Sequence, residues 1–290
     1  MKRHLLSFAI YLGLVVLLGA SPALAGLKIR LVSLPGIEPI GVVGGGNLQE
    51  IFKVAAEMWE EVFKNVNGNW ETTIEFGWSN LGTAFYAKVE DEISVSGNPP
   101  RITRARIVLN NHQFNRPDFF ADPTPRDNKE YREISSRLHD EVQLNVGRVF
   151  TDGTGDAAES IDLLTLAVHE MGHALAFHEL YSAFPQKCVQ PADPPPAPVL
   201  PPPPGVIIDE GGAVSSCIIN ITAPRPHEGV EIFVSFGPHL GEFAPETNPV
   251  MSAHINPGTR KLISALDALA IAEIVSANKP NLNGPLPPPF

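Results

Sequence analysis

Cysteine is scarce in this sequence, and that scarcity limits the sites that the chain can build. The two cysteines, Cys188 and Cys217, both lie in the C-terminal half, and their spacing does not match that of a zinc knuckle. In an exported protein, one disulfide between them is favoured over two free thiols or a pair of metal ligands. We therefore expect a single disulfide that closes a loop.

Basic residues are also in short supply. The chain has 21 lysines and arginines against 32 aspartates and glutamates, and its net charge is −11. Removal of the first 25 residues leaves 19 basic residues against the same 32 acidic ones, a net charge of −13. Such a balance repels a phosphate backbone, so the sequence predicts no nucleic acid partner.

Long apolar runs are absent after the N-terminus. Residues 1–25 combine a basic start at Lys2 and Arg3, an apolar run from Leu5 to Leu18 and a small-x-small cleavage site at Ala23–Ala25. This pattern predicts a signal peptide, and no later stretch approaches the roughly 18 continuous apolar residues of a membrane span. We expect a secreted protein, extracellular or periplasmic, without a transmembrane segment.

The most informative stretch runs from Leu163 to Glu179, LLTLAVHEMGHALAFHE, and has the form H-E-x-x-H at its centre. His169 and His173 are four residues apart, so both imidazoles lie on one helical face and can reach one zinc ion. Glu170 stands about 100° round the helix from His169, where a carboxylate can take a proton from a zinc-bound water. A chance match on an ordinary amphipathic helix is the alternative explanation.

A catalytic zinc site needs three protein ligands and an open position for water, and this pattern supplies two. In the metzincin clan it continues as H-E-x-x-H-x-x-G-x-x-H, with a methionine turn further on. Here Ala176 stands at the glycine position, Glu179 at the third-histidine position, and His178 one residue early. The run N-P-V-M-S-A-H around Met251, followed by L-I-S-A-L-D, resembles the methionine turn of metzincin-type secreted proteases.

More closely, the arrangement is similar to the leishmanolysin-like branch and related bacterial secreted proteases. In those proteins an insertion separates the zinc helix from the third histidine, which lies shortly before the methionine. His239 occupies that position here, twelve residues before Met251. The resemblance therefore implies that His239 joins the two helix histidines, while Glu179 and His178 remain alternative third ligands because carboxylate and imidazole both bind zinc.

Outside the motifs, the residue pattern predicts an α+β fold. Apolar residues recur at helical spacing in two segments, Asn47–Asn65 and Lys261–Ala277. Strands are predicted at Thr72–Trp78, Thr83–Val89, Arg101–Leu109 and Val230–Phe236, and a surface loop at Asn110–Asn128. The resemblance implies a metzincin-like, mixed twisted sheet, with an upstream packing helix, the zinc-binding helix and a C-terminal helix after the Met-turn. It also implies that substrate lies along an edge strand, for which we favour the neighbourhood of residues 101–109.

Proline marks the predicted domain organisation. Residues 26–280 are expected to form one catalytic domain, interrupted by a proline-rich insertion at 184–226 that the disulfide would close at its base. Residues 281–290 are predicted to be a disordered tail.

The function implied by the resemblance is that of a secreted zinc-dependent endopeptidase, a hydrolase acting on a protein or peptide substrate. Glu170 would be the general base, and one catalytic zinc ion would bind His169, His173 and His239. The acidic turn at residues 152–156 is compatible with calcium, without further support. A gluzincin-type site would instead take its third ligand from Glu228, Glu231 or Glu242.

The alternative from another class is a non-catalytic secreted protein of the same fold, with a structural zinc site or a partner-binding role. A structural site would fill its fourth position, most naturally with Glu179. Such a site has no need of a general base, so the presence of Glu170 favours the enzyme.

Overall fold

The structure is a computed structural model that describes residues 26–66, 68–82, 85–112, 118–139, 144–190, 206–207, 217–222, 228–235, 238–240, 249–277 and 280–282. The predicted signal peptide, most of the proline-rich insertion and residues 283–290 lie outside these ranges. None of the helices in the described ranges is both long enough and apolar enough to cross a membrane.

The described residues form a mixed α+β fold, as predicted. The helices are α1 (Leu48–Val62), α2 (Leu163–Leu175), α3 (Ala183–Lys187) and α4 (Ala265–Ile274), with a 3-10 turn at Gly155–Ala157. The strands are β1 (Leu27–Ser33), β2 (Val42–Val43), β3 (Trp70–Ser79), β4 (Ala87–Val89), β5 (Ser94–Ser96), β6 (Arg101–Asn110), β7 (Phe119–Phe120), β8 (Tyr131–His139), β9 (Leu144–Gly153), β10 (Ile161–Asp162), β11 (Cys188–Val189), β12 (Val206–Ile207), β13 (Cys217–Asn220), β14 (Glu231–Ser235), β15 (His239–Leu240), β16 (His254–Ile255) and β17 (Arg260–Leu262).

The largest sheet is mixed, with strand order β1-β3-β6-β4. Strands β1, β3 and β6 run parallel, whereas β4 and β5 pair antiparallel with β6. Strand β6 therefore has partners on both sides and is an interior strand. Our expectation that residues 101–109 form the substrate-binding edge was wrong, because hydrogen bonds to β3, β4 and β5 already use that backbone.

Helix α1 follows β2 and precedes β3 in the chain, and it packs against β1 and α2. Asn47 caps its N-terminus by accepting a hydrogen bond from the backbone of Glu50 at 2.9 Å. The helix buries an apolar stripe made of Ile51, Phe52, Val54, Ala55, Ala56, Met58, Trp59 and Val62. The indole of Trp59 donates to the carbonyl of Val168 in α2 at 3.0 Å, so the two helices are joined by a buried hydrogen bond.

The predicted helix at Lys261–Ala277 begins later than expected. Arg260–Leu262 forms β17 and pairs with β9. Helix α4 starts after Ser264, because Ser264 and Asp267 satisfy each other's backbone N–H groups in a capping box. The spacing that predicted a helix therefore also covered Lys261 and Leu262, which belong to the buried strand β17.

The predicted surface loop at Asn110–Asn128 is partly buried. Phe119 and Phe120 form β7, which lies between β2 and β10 in a parallel three-stranded sheet. Asp122 and Asn128 are buried because both accept hydrogen bonds from Arg260, more than 130 residues further along the chain. Part of the polar composition of this segment reflects an internal ion network, while Thr124 and Arg126 are exposed to solvent.

A second sheet, with order β11-β13-β14-β15, follows α3 and ends at His239. The predicted disulfide is confirmed: Cys188 at the start of β11 is bonded to Cys217 at the start of β13, with 5.3 Å between the Cα atoms. From the insertion, β12 pairs antiparallel with β16, shortly after Met251. At the chain end, Asn281 donates to the carbonyl of Val62, so the predicted tail begins in contact with α1.

Candidate metal centre

Helix α2 carries the H-E-x-x-H residues and is buried along its whole length. The carboxylate of Asp162 caps it, accepting from the backbone N–H of Thr165 at 2.9 Å and from its hydroxyl at 2.7 Å. The helix ends at Leu175, four residues before the end of the stretch singled out in the sequence. Ala176 leaves the helix with φ −158°, an extended value, so the turn here does not require glycine.

The structure brings His169, His173 and His239 together. Their ring centroids are 4.7 to 5.2 Å apart, and the possible ligand nitrogens lie within 4.8 Å of one another. All three rings are buried, with at most 2% of each residue exposed. Within the described residues this is the one group of at least three histidine, cysteine or acidic side chains with metal-binding spacing.

Two backbone carbonyls set the orientation of the helix histidines. Nδ1 of His169 bonds to the carbonyl of Val250, and Nδ1 of His173 to the carbonyl of Phe177, each at 2.7 Å. Because a carbonyl can only accept, each Nδ1 must carry the proton. The Nε2 atoms of the neutral rings then bear lone pairs, which point at the centre of the histidine cluster.

A metal ion fits this donor set. The Nε2 atoms of His169 and His173 are 2.9 Å apart, and without a cation between them two lone pairs would face each other. Nitrogen ligands around a tetrahedral zinc ion stand about 3.3 Å apart, a value close to this distance. Burial, and then the neighbouring His239, lowers the pKa of His169 well below its usual value, so the ring stays in the neutral form that binds metal.

Glu170 is also wholly buried and lies on α2 next to His169. Its position one residue along the helix turns it about 100° away from the ligand face. Glu170 does not belong to the three-residue group itself.

Met251 lies against the histidine-bearing part of α2. A Cβ atom added to Gly172 would stand 2.1 Å from Sδ of Met251 and 3.0 Å from its Cε. A Cβ at position 172 would therefore require the buried Met251 side chain to shift. The carbonyl of Met251 accepts from the backbone N–H of Leu240 at 2.9 Å, which ties the turn to the strand that carries His239.

An ion network that the sequence analysis missed supports the start of α2. Arg260 is fully buried and donates to both oxygens of Asp162, at 2.8 and 3.0 Å, and to Asp122 at 2.6 Å. Burial alone would lower the pKa of Arg260, but the Asp162 carboxylate raises it above its usual value. Burial, followed by Asp162, also raises the pKa of Tyr131, whose ring lies under the guanidinium. No local pattern joined these residues, which are far apart in the chain.

The alternative third ligands lie elsewhere. His178 is buried, but its Nδ1 accepts from the backbone N–H of Leu180 at 3.2 Å, and burial lowers its pKa. Glu179 is exposed to solvent. Of the gluzincin-type candidates, Glu228 and Glu231 are exposed, and Glu242 lies outside the described residues.

Comparison of the chain with protein-family models, with curated proteins and with solved structures found no match. The relationship to metzincins therefore stays a prediction.

Proposed function

We propose that the protein is a secreted zinc-dependent endopeptidase with His169, His173 and His239 as metal ligands. The observation that carries the proposal is the convergence of three buried imidazoles, two of them from the helix that also carries the buried Glu170. Three neutral nitrogen donors that leave a fourth position open are the donor set of catalytic zinc sites. When bound, zinc supplies a Lewis acid that acidifies water and polarises a carbonyl group.

Glu170 is the residue that moves protons in this proposal. Its carboxylate takes a proton from the water that attacks the scissile carbonyl and returns it to the departing amine nitrogen. Burial excludes competing solvent and makes the carboxylate a stronger electrostatic partner than it would be at the surface. The backbone carbonyls of Val250 and Phe177 hold the two helix histidines in the orientation that this chemistry needs.

A peptide substrate would lie along β4. Within the described residues, β4 pairs with β6 on one edge only, and it packs against α2. An extended peptide can add to such an edge through main-chain hydrogen bonds, with little dependence on side-chain sequence.

The competing proposal is a structural zinc site in a non-catalytic protein. It predicts a filled fourth position, for which Glu179 was the natural candidate. That residue is exposed, and within the described part of the chain the metal-binding group contains only the three histidines. This arrangement favours the catalytic proposal.

The test is zinc content and casein cleavage, measured on the same samples of the wild type and three variants. We expect His239→Ala to lose zinc and activity, and Glu170→Gln to keep zinc and lose activity. Glu179→Ala is the control, because it removes an exposed carboxylate from the same stretch. This variant should keep both zinc and activity. A wild type that binds zinc but cleaves no peptide would shift support to the structural site, and one that binds no zinc would exclude both proposals.

A further inference from the structure

Asp267, in the first turn of α4, connects that helix to the turn that contains Met251. Its carboxylate is fully buried and accepts four hydrogen bonds from the described residues. Oδ1 accepts from the backbone N–H of Met251 at 3.0 Å. Oδ2 accepts from the backbone N–H of Val250 at 3.2 Å and from the N–H and hydroxyl of Ser264, both at 2.7 Å.

The contact with Met251 leads directly to a metal ligand. The N–H of Met251 and the carbonyl of Val250 belong to the same planar peptide group. That carbonyl accepts the Nδ1 proton of His169 at 2.7 Å. The Asp267 carboxylate, one peptide group and the His169 imidazole therefore form a continuous hydrogen-bonded chain. Since hydrogen bonds in a chain polarise one another, a carboxylate at one end strengthens the acceptor at the other.

The same turn also reaches the third histidine. The carbonyl of Met251 accepts from the N–H of Leu240, the residue after His239. A displacement of Met251 would thus disturb both the Val250 carbonyl that holds His169 and the strand that carries His239. The turn is buried, as is Met251 itself, so its orientation depends on the partners inside the protein.

We propose that Asp267 is a positioning residue of the metal centre, acting on His169 through the Val250–Met251 peptide. The inference rests on the proposed metal site and adds Asp267 as a residue that raises the affinity of that site for zinc. Metal-binding histidines commonly donate their second N–H to a carboxylate or a carbonyl, which fixes the ring and raises its basicity. Here the Val250–Met251 peptide group lies between the Asp267 carboxylate and the His169 ring. Because the peptide group is planar, the direction of its N–H fixes the direction of its carbonyl.

The two oxygens of Asp267 have different partners, because Oδ1 contacts the turn alone and Oδ2 contacts both the turn and Ser264, which makes a matched comparison possible. In Asp267→Asn, the side-chain carbonyl can replace Oδ2 and keep the contacts with Ser264, while the NH₂ group faces the N–H of Met251. This variant removes an acceptor from the turn and leaves two donors opposed. Ser264→Ala removes only the hydroxyl that caps α4 and keeps both contacts with the turn.

The experiment measures the dissociation constant for zinc alone, by competition with a chromophoric chelator, and the thermal midpoint of the metal-free chain. We expect Asp267→Asn to weaken zinc binding by about 10- to 100-fold, the effect typical of outer-shell partners of a ligand. Ser264→Ala should lower the thermal midpoint and leave zinc affinity unchanged. The visible absorption bands of cobalt-loaded protein should shift in Asp267→Asn and not in Ser264→Ala, because only the former alters the orientation of His169.

Equal zinc affinity in Asp267→Asn and the wild type would overturn the inference. So would an equal loss in Ser264→Ala, since the effect would then follow helix stability. A wild type that binds zinc without cleaving peptides would refute the endopeptidase and leave the inference on Asp267 standing. A wild type that binds no zinc would overturn both.

Discussion

The contact between Gly172 and Met251 predicts that Gly172→Ala destabilises the wild type but stabilises a Met251→Ala variant. Alanine at an interior helical position is favoured over glycine by about 1 kcal/mol, so Gly172→Ala alone should stabilise a helix. In this protein the new methyl carbon would lie 2.1 Å from Sδ of Met251, a distance that no packing tolerates. Overfilling a core costs about 1–3 kcal/mol, which outweighs the gain in helix propensity. We expect a net destabilisation of up to about 2 kcal/mol.

In the Met251→Ala background the obstruction is gone. The single variant Met251→Ala should itself cost about 2–5 kcal/mol, because it removes a fully buried side chain. Adding Gly172→Ala to it should then stabilise the protein by about 1 kcal/mol, through helix propensity alone. The two substitutions are therefore coupled by about 1–3 kcal/mol.

The assay is urea unfolding of the wild type, both single variants and the double variant. A chelator should be present throughout, because bound metal would add its own stabilisation. Refutation is simple to recognise: if Gly172→Ala stabilises the wild type and the Met251→Ala variant equally, the methionine does not pack on this glycine. The close approach of the Met-turn to α2 would then be wrong.

Three further predictions concern the elements that hold the centre in place. Arg260→Ala should destabilise the protein by about 3–5 kcal/mol, because it leaves buried carboxylates without their guanidinium. The control in urea unfolding is Arg132→Ala, which removes an exposed ion pair worth about 0–1 kcal/mol. Similar losses of stability in the two variants would contradict the buried network. Trp59→Phe should cost about 1 kcal/mol, through loss of the hydrogen bond from the indole to Val168, and an unchanged unfolding midpoint would show that this bond does not join the helices. Since burial depresses the pKa of His178, its contribution to stability is complete above about pH 6.5 and is lost as the pH falls towards the lower folded-state pKa. Between pH 7 and pH 5, His178→Gln should therefore lose less unfolding free energy than the wild type. An equal loss in both proteins would refute the role of His178 in acid destabilisation.

Elements governed by local spacing could be predicted closely from the sequence. The period of apolar residues located α1, and β-prone runs located β3 and β6, within a few residues of their ends. The four-residue spacing of His169 and His173 placed two imidazoles on one face of α2, because helix geometry alone determines which side chains are neighbours. The pairing of the two cysteines was also predictable, since the sequence contains no others.

Features that depend on distant parts of the chain were not predictable in this way. Capping by Ser264 made helix α4 begin later than the apolar residues of the C-terminal segment suggested. Asp122 and Asn128, in the polar segment before β8, are buried and accept hydrogen bonds from Arg260 on another strand. The place of β6 inside the sheet follows from pairing, which the composition of a single strand does not reveal.

The contrast between features set by local spacing and features set by distant residues is clearest at the candidate metal centre. By itself, the sequence determined the two-histidine clamp and the adjacent Glu170, because all three lie within one helical turn and their directions follow from backbone geometry. Sequence spacing left His239, Glu179 and His178 as competing third ligands. Only the tertiary structure placed His239 in the cluster, since a contact across 66 residues depends on the pairing of β11, β13, β14 and β15, the last of which carries His239. Local geometry acts over one turn of helix, whereas the closure of such a site is decided by the packing of the whole domain.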